Sequence, residues 1–238
     1  MATATNKPWN AKGAEKSASV RDMFGRIAKR YDFMNSAISL RLHYRWREFA
    51  VRLMDLQEGD SVLDVCCGTG DFGKPIRKRI GEKGGLYGID FCSPMLEIAK
   101  TKPYNFHLTL GDAMRLPFQD ECFSGVTVGW GLRNVADLSQ TLKQIYRVLK
   151  NDGKFVSVDT AIPKNKVSRI LGGAVFNTVV PFFGFLSGNK QAYTYLTKST
   201  EKFATREQLA SEFRKAGFRN VRWHDLFFGH ICVMEGEK

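Results

Sequence analysis

The stretch SVLDVCCGTGDFG, residues 61–73, decides the fold. Its first half is a short apolar run after the turn QEGD, the pattern of a fully buried strand. Its second half, Gly68-Thr69-Gly70-Asp71-Phe72-Gly73, is a G-x-G-x-x-G loop opening a helix that runs to about Ile80. Such a loop removes side chains, so a ligand can lie against the backbone near a helix N-terminus. The next strand, LYGID, ends in Asp90, twenty residues after Gly70. A carboxylate at that point can accept hydrogen bonds from both ribose hydroxyls of an adenosine.

The alternation continues outward. Ser93 is the expected N-cap of the following helix, with Pro94 at its first position. NFHLTLGD and CFSGVTVGW read as strands three and four. Asp137 caps a helix to about Lys150, NDGK turns, and FVSVDT is strand five. After a helix in REQLASEFRKAGF, two adjacent strands, NVRWHDLFF and HICVMEG, close the chain. Alternating strands and helices predict an α/β fold with a doubly wound, Rossmann-like, seven-stranded sheet, mostly parallel with an antiparallel C-terminal edge strand. Upstream, apolar residues at Met23, Phe24, Ile27, Tyr31 and Met34 have helical spacing, and a second helix is expected from Tyr44 to Leu56. The expected organisation is a disordered arm at 1–19 and one domain at 20–238, with a helical lid at 20–56.

The chain has 238 residues, a formal charge of +12 and five cysteines. A hydrophobic content of 43% in a chain of this length excludes collagen, low complexity and wholesale disorder. Cys66 and Cys67 are neighbours and the count is odd, so the thiols read as reduced and the protein as cytoplasmic. Met1–Val20 has no apolar core and does not read as a secretory signal. Residues 161–200 contain no Asp or Glu but carry Lys164, Lys166, Arg169, Lys190 and Lys198 among six Phe and Tyr residues. This is read as a basic, aromatic insertion lying over the sheet edge, not a membrane span, because Gly172, Gly173, Asn177 and Pro181 interrupt it.

The glycine loop and Asp90 alone fit a nicotinamide dinucleotide about as well as S-adenosylmethionine. Asp112, ending strand three in GDAMRLPF, can accept from an adenine amine, with the Ala113 amide beside it. That placement and the antiparallel C-terminal edge resemble habits of S-adenosylmethionine-dependent methyltransferases, and the resemblance tilts the choice towards S-adenosylmethionine. No His/Cys spacing makes a metal site. Cys66 and Cys67 suit packing beneath the loop better than nucleophilic chemistry.

LDVCCGTGDF, GID, GDAMRLPF, GWGLRNV and QIYRVLKNDGKF together resemble the class I S-adenosylmethionine-dependent methyltransferases. FGRIAKRYDFMN, GLRNV and AYTYLTKS narrow this to the C-methyltransferases of ubiquinone and menaquinone biosynthesis, with a resemblance from about Arg21 to Gly236. The resemblance implies a cofactor cradle of Gly68, Thr69, Gly70, Asp90, Phe91, Asp112, Ala113 and Gly129, with Tyr31 at the methionine end. Gly129 stands where many relatives have Ser, which leaves only its backbone for contact. The implied reaction is C-methylation of a prenylated hydroquinone, of demethylmenaquinol or ubiquinone-precursor type.

A ring carbon becomes nucleophilic when a neighbouring hydroxyl ionises, and a phenol does so only near about pH 10. A fixed cation beside the oxygen makes ionisation easier. Arg133, in GLRNV, is the first candidate, with a surface ion pair to Asp137 as the structural alternative. Asp159, ending strand five, is expected to orient a base or hydroxyl, and Tyr31 to meet donor or ring. Asn134, Tyr193 and Tyr195 are candidate substrate contacts. His43 is a candidate base, although a lone His in RLHYRWRE reads more simply as exposed. The expected partners are a lipophilic quinol, an anionic membrane surface docked through the basic insertion at the inner face of the membrane, and a second copy in a homo-oligomer. Nucleic acid is disfavoured: GWGLRN stands where amine-methylating nucleic-acid enzymes carry Asn or Asp before Pro-Pro, and no RNA-binding module is appended. A dinucleotide-dependent oxidoreductase, another small phenolic acceptor and a catalytically silent partner protein are the remaining readings.

Overall fold

The computed structural model describes residues 11, 13–165, 168 and 190–238, excluding the side chains of 190–193. Helices α1 (Gly13–Ile38) and α2 (Leu42–Arg52) precede β1 (Ser61–Val65), α3 (Gly73–Ile80), β2 (Gly85–Asp90), α4 (Ser93–Lys100), β3 (His107–Leu110) and β4 (Phe123–Gly129). Then follow α5 (Leu138–Val148), β5 (Leu149–Thr160), α6 (Lys190–Lys202), α7 (Arg206–Lys215), β6 (Arg219–Leu226) and β7 (Ile231–Glu237).

The seven strands lie in the order β3-β2-β1-β4-β5-β7-β6. β1 pairs in parallel with both β2 and β4, Val62 standing opposite Leu86 on one side and Gly125 on the other. The chain order therefore reverses at β1, and the crevice beyond its carboxyl end is where such sheets bind ligands. The expected antiparallel pairing is present. β7 runs against both β5 and β6, one place in from the edge, and β6 forms the edge itself.

Burial of both sheet faces drives this arrangement. Val62 and Leu86 meet Val51 of α2, Met54 in the turn that follows it and Ile76 of α3 on one side. Leu63, Val126 and Phe155 meet Leu142, Ile145, Phe213 and Leu209 from α5 and α7 on the other. Asp137 Oδ1 accepts from the Gln140 amide at 2.9 Å and starts α5 as expected. Thr205 and Gln208 form a reciprocal capping box on α7. A side chain on Gly73 would bring its Cβ to 2.5 Å from the Phe106 ring and 2.6 Å from Tyr104, so glycine is what lets α3 start this close to the chain leading into β3.

Several boundaries differ from the sequence reading. α1 begins at Gly13, so residues 13–19, expected in a disordered arm, are helical. Val20 and Met23 are buried against Tyr195, which gives the early turns a surface to pack on. α2 starts at Leu42 and ends at Arg52. Cys92, not Ser93, is the N-cap of α4, and Ser93 is already helical. NDGK is a bulged part of β5, whose register with β4 shifts between Phe123 and Gly125. Of the insertion, 161–165, Ser168 and α6 are described; its apolar middle lies outside the described residues. Among the described residues no helix is long and apolar enough to cross a membrane.

Candidate active site

The loop after β1 is built around one carboxylate. Asp90 Oδ2 accepts from the Gly68 amide at 2.9 Å and Oδ1 from the Cys92 amide at 2.9 Å. Asp90 is buried, and burial pushes its carboxyl up against the lowering effect of these amides. At the end of β3, Asp112 Oδ1 accepts from the Met114 amide at 2.9 Å and leaves its carboxylate exposed. Gly68, Asp90, Phe91, Asp112, Ala113 and Gly129 line one cavity at the carboxyl edge of the sheet, roofed by Val20, Phe24 and Tyr31 of α1. Nothing lies within 4 Å of where a Gly68 Cβ would stand, so the bare loop opens on free space. Carboxylates at one end, Ile89, Phe91 and Met95 beside them, and a bare backbone loop suit an adenosine with a thioether tail. A Gly129 Cβ would stand 2.8 Å from the Phe72 ring, so the ring takes the room that a Ser side chain would need.

Thr69 and Gly70 do not line this cavity. Thr69 Oγ1 donates to Asp32 Oδ1 at 2.5 Å, and Gly70 turns the chain with φ 78°. Lys102 Nζ lies 2.9 Å from Asp32 Oδ2 and 2.5 Å from Asp71 Oδ1. These bonds tie α1 to the glycine loop. Lys16 Nζ fastens the other end of α1 by donating to the carbonyls of Arg133 at 3.0 Å and Val135 at 2.7 Å.

A second, mostly apolar cavity adjoins the first. Met23, Ile27, Met34 and Ile38 of α1, His43 and Trp46 of α2, and Arg133, Tyr195 and Phe227 line it. Phe24, Tyr31 and Trp130 belong to both cavities and form their common wall. Trp130 turns the chain off β4 with φ 53°, a strained conformation held by its amide donating to the Val158 carbonyl at 2.7 Å.

Arg133 is buried, and its partner is Asp159, with Nη1 2.5 Å from Oδ1; Asp137 is occupied in capping α5. Arg133 Nη1 also donates to the Trp130 carbonyl at 3.1 Å, while Nε, like Asp159 Oδ2, has no hydrogen-bond partner. Burial pushes the Asp159 carboxyl up, and Arg133 opposes the rise. Asp159 lines neither of these cavities; it stands behind Arg133. Tyr195 donates to Asn134 Oδ1 at 2.8 Å, and Asn134 Nδ2 donates to the Trp130 carbonyl at 2.8 Å. Asn134 lines the first cavity and Tyr195 the second, where burial pushes its hydroxyl up to about 12. The side chain of Tyr193 lies outside the described residues.

His43 is buried, contrary to its reading as an exposed residue. Arg47 Nη1 stands 2.6 Å from His43 Nδ1. A guanidinium can only donate, so Nδ1 accepts and the neutral ring carries its proton on Nε2, facing Ser36 Oγ at 3.3 Å. Burial, then the Arg47 charge, pull His43 down to about 4. A ring with its free nitrogen so occupied is no base. Burial, reinforced by neighbouring carboxylates, pushes Cys66 and Cys67 well up, which keeps both as thiols. Among the described residues no three His, Cys, Asp or Glu side chains are grouped to hold a metal ion.

A model of the ubiE/COQ5 methyltransferase family matches residues 12–238. The chain belongs to that family. Among curated relatives, the demethylmenaquinone methyltransferase of Listeria monocytogenes is 41% identical over 214 residues, covering 87% of this chain and 90% of the relative. That of Desulfitobacterium hafniense is 38% identical over 233 residues, covering 95% and 92%. A SAM-dependent methyltransferase from Aquifex aeolicus shares the fold of this family member with a TM-score of 0.61 at 18% identity, over 83% of this chain and 92% of that one.

Proposed function

We propose that the protein is an S-adenosylmethionine-dependent C-methyltransferase acting on a prenylated hydroquinone of the demethylmenaquinol type. One observation carries this: a cavity with the features of an adenosine site and an apolar cavity holding a buried cation share a wall of Phe24, Tyr31 and Trp130. The relatives named above act, by their names, on demethylmenaquinone.

The donor supplies an electrophilic methyl group carried on a sulfonium. Asp90, Asp112 and the Ala113 amide are placed to hold its ribose and adenine, and the Gly68 loop to leave room for its tail. Tyr31 and Trp130 close the junction at which donor and ring must meet, and so limit the angle of approach. The apolar lining from α1 keeps water from the reacting centre. Arg133 stabilises the ionised hydroxyl of the acceptor, and as a permanent cation it does so without removing the proton itself. Asp159 touches neither reactant in this reading; it positions the guanidinium. Tyr195, hydrogen-bonded to Asn134, forms part of the acceptor wall. The basic, acid-free segment 161–200 brings the protein to anionic lipid, where the prenyl tail resides.

The test is incubation with isotopically labelled donor and a panel of reduced quinols, read by product mass spectrometry. Mass gain by a demethylated naphthoquinol supports the reading. Gain only by an RNA or a tail-less phenol, or binding of NADH in preference to S-adenosylhomocysteine in calorimetry, overturns it.

A further inference from the structure

Arg47 is the one residue lining both the acceptor cavity and a smaller cavity behind the glycine loop whose bonding, among the described residues, leaves a buried cationic side chain with an unused donor there. Its guanidinium is 6% exposed and lies over the Trp130 ring, 4.6 Å from the centroid. Nη1 is spent on His43, donating to Nδ1 at 2.6 Å and to the carbonyl at 3.2 Å. Nη2 comes no nearer than 3.6 Å to Asp71 Oδ2, and that carboxylate is held more closely by Lys102, at 2.5 Å. Nε has no hydrogen-bond partner.

The smaller cavity is bounded by Tyr31, Gly68, Thr69 and Gly129 together with Asp64. Asp64 Oδ1 accepts from Thr127 Oγ1 at 2.7 Å, and its Oδ2 is also unpartnered. Asp71 lines the cavity too, and its Oδ2 likewise has no hydrogen-bond partner although Lys102 holds the other oxygen. The cavity thus offers an unsatisfied cationic donor and two unsatisfied carboxylate oxygens, the kinds of group that the carboxylate and ammonium of an amino-acid zwitterion need. Its place is also the right one. If the nucleoside lies against Asp90 and Asp112 and the sulfur must reach the junction at Tyr31 and Trp130, the remaining amino-acid end of the donor falls beside Gly68 and Gly129.

We propose that Arg47 binds the α-carboxylate of the methyl donor. The inference rests on the donor assigned above and goes beyond it in naming the cation. By holding His43 through Nη1 and the donor through Nε, Arg47 also links the wall of the acceptor cavity to the occupied donor site.

Two ligands separate the amino-acid end from the rest: S-adenosylhomocysteine, which has the carboxylate, and 5′-methylthioadenosine, which keeps nucleoside and thioether but lacks it. Both are titrated calorimetrically into the wild type, Arg47→Gln and Arg47→Lys, with a thermal scan of each protein. The expected result is a loss of about tenfold or more in affinity of Arg47→Gln for S-adenosylhomocysteine, as for a lost charge-assisted hydrogen bond, with methylthioadenosine unchanged. Arg47→Lys keeps the charge and falls between. Equal weakening of both ligands in either variant overturns the proposal and makes Arg47 a structural residue. Unchanged S-adenosylhomocysteine binding with a raised KM for the quinol overturns it in favour of the acceptor. A wild type that binds neither ligand overturns the donor assignment itself.

Discussion

Replacing Arg133 by Met separates what this residue does for stability from what it does for the reaction. Arg133 and Asp159 meet at 2.5 Å, each side chain 5% exposed. Removing one member of a buried pair strands the other and costs about 3–5 kcal/mol. Asp159 is already pushed up by burial, and Arg133 is the first force holding it down. In Arg133→Met the carboxyl therefore takes up a proton, which puts the loss near the lower end of that range. Against a total stability of about 5–15 kcal/mol the variant still folds. Adding Asp159→Asn removes the stranded acid, and because a buried pair contributes little over neutral replacements, the double variant regains most of the lost stability. Turnover follows a different course. Loss of a donor beside developing negative charge costs about a hundred- to a thousandfold in kcat. The double variant is restored in urea unfolding at neutral pH yet stays as slow as Arg133→Met in single-turnover assays with a reduced naphthoquinol. If the double variant recovers turnover together with stability, or if Arg133→Met turns over at the wild-type rate, Arg133 is a structural residue and the phenolate assignment is wrong.

Asp64 is pushed up to about 7 by burial, above its ordinary 3.8, so the folded apo protein binds its proton more tightly than the unfolded chain. Its contribution to stability is present below pH 3.8 and is lost as pH rises to about 7; Asp64→Asn is expected to remove that decline in urea midpoints measured across the window, and an unchanged slope contradicts the burial argument. Asp112→Ala is expected to weaken S-adenosylhomocysteine and methylthioadenosine alike, because both carry the adenine; a loss confined to one of them in calorimetry contradicts the placement of the nucleoside. Removing residues 165–190 is expected to abolish flotation with anionic liposomes, and high salt to release the intact protein from them; flotation that survives the deletion argues against a membrane role for this segment.

The parts of the molecule legible in the sequence are those governed by local periodicity and turn chemistry. SVLDV, the glycine loop and Asp90 each announce themselves within a few residues, and the structure places them at the switch point of the sheet. Asp137 was legible as a cap because its partner, Gln140, is three residues away. The buried ion pairs were not. Asp159 lies 26 residues from Arg133, and nothing in GLRNV distinguishes it from the nearer Asp137. Lys16 reaches carbonyls more than a hundred residues away from a helix whose early turns look polar. The cluster of Asp32, Thr69, Asp71 and Lys102 gathers three separate segments, and only the fold shows that they meet. His43 and Arg47 are the exception. Four residues apart on one helix, they share a face, and that spacing was the signal that could have shown the histidine to be held rather than exposed.

In the proposed reaction a carbon passes from a sulfonium donor to a ring carbon of an ionised hydroquinone in the paired cavities beneath α1. The most direct measurement is a carbon NMR spectrum of the product formed from a ¹³C-methyl donor and a demethylated naphthoquinol kept under reducing conditions. The expected product carries a single labelled methyl bonded to aromatic carbon. A labelled methoxy signal, or label remaining on the donor while the quinol is recovered intact, contradicts it.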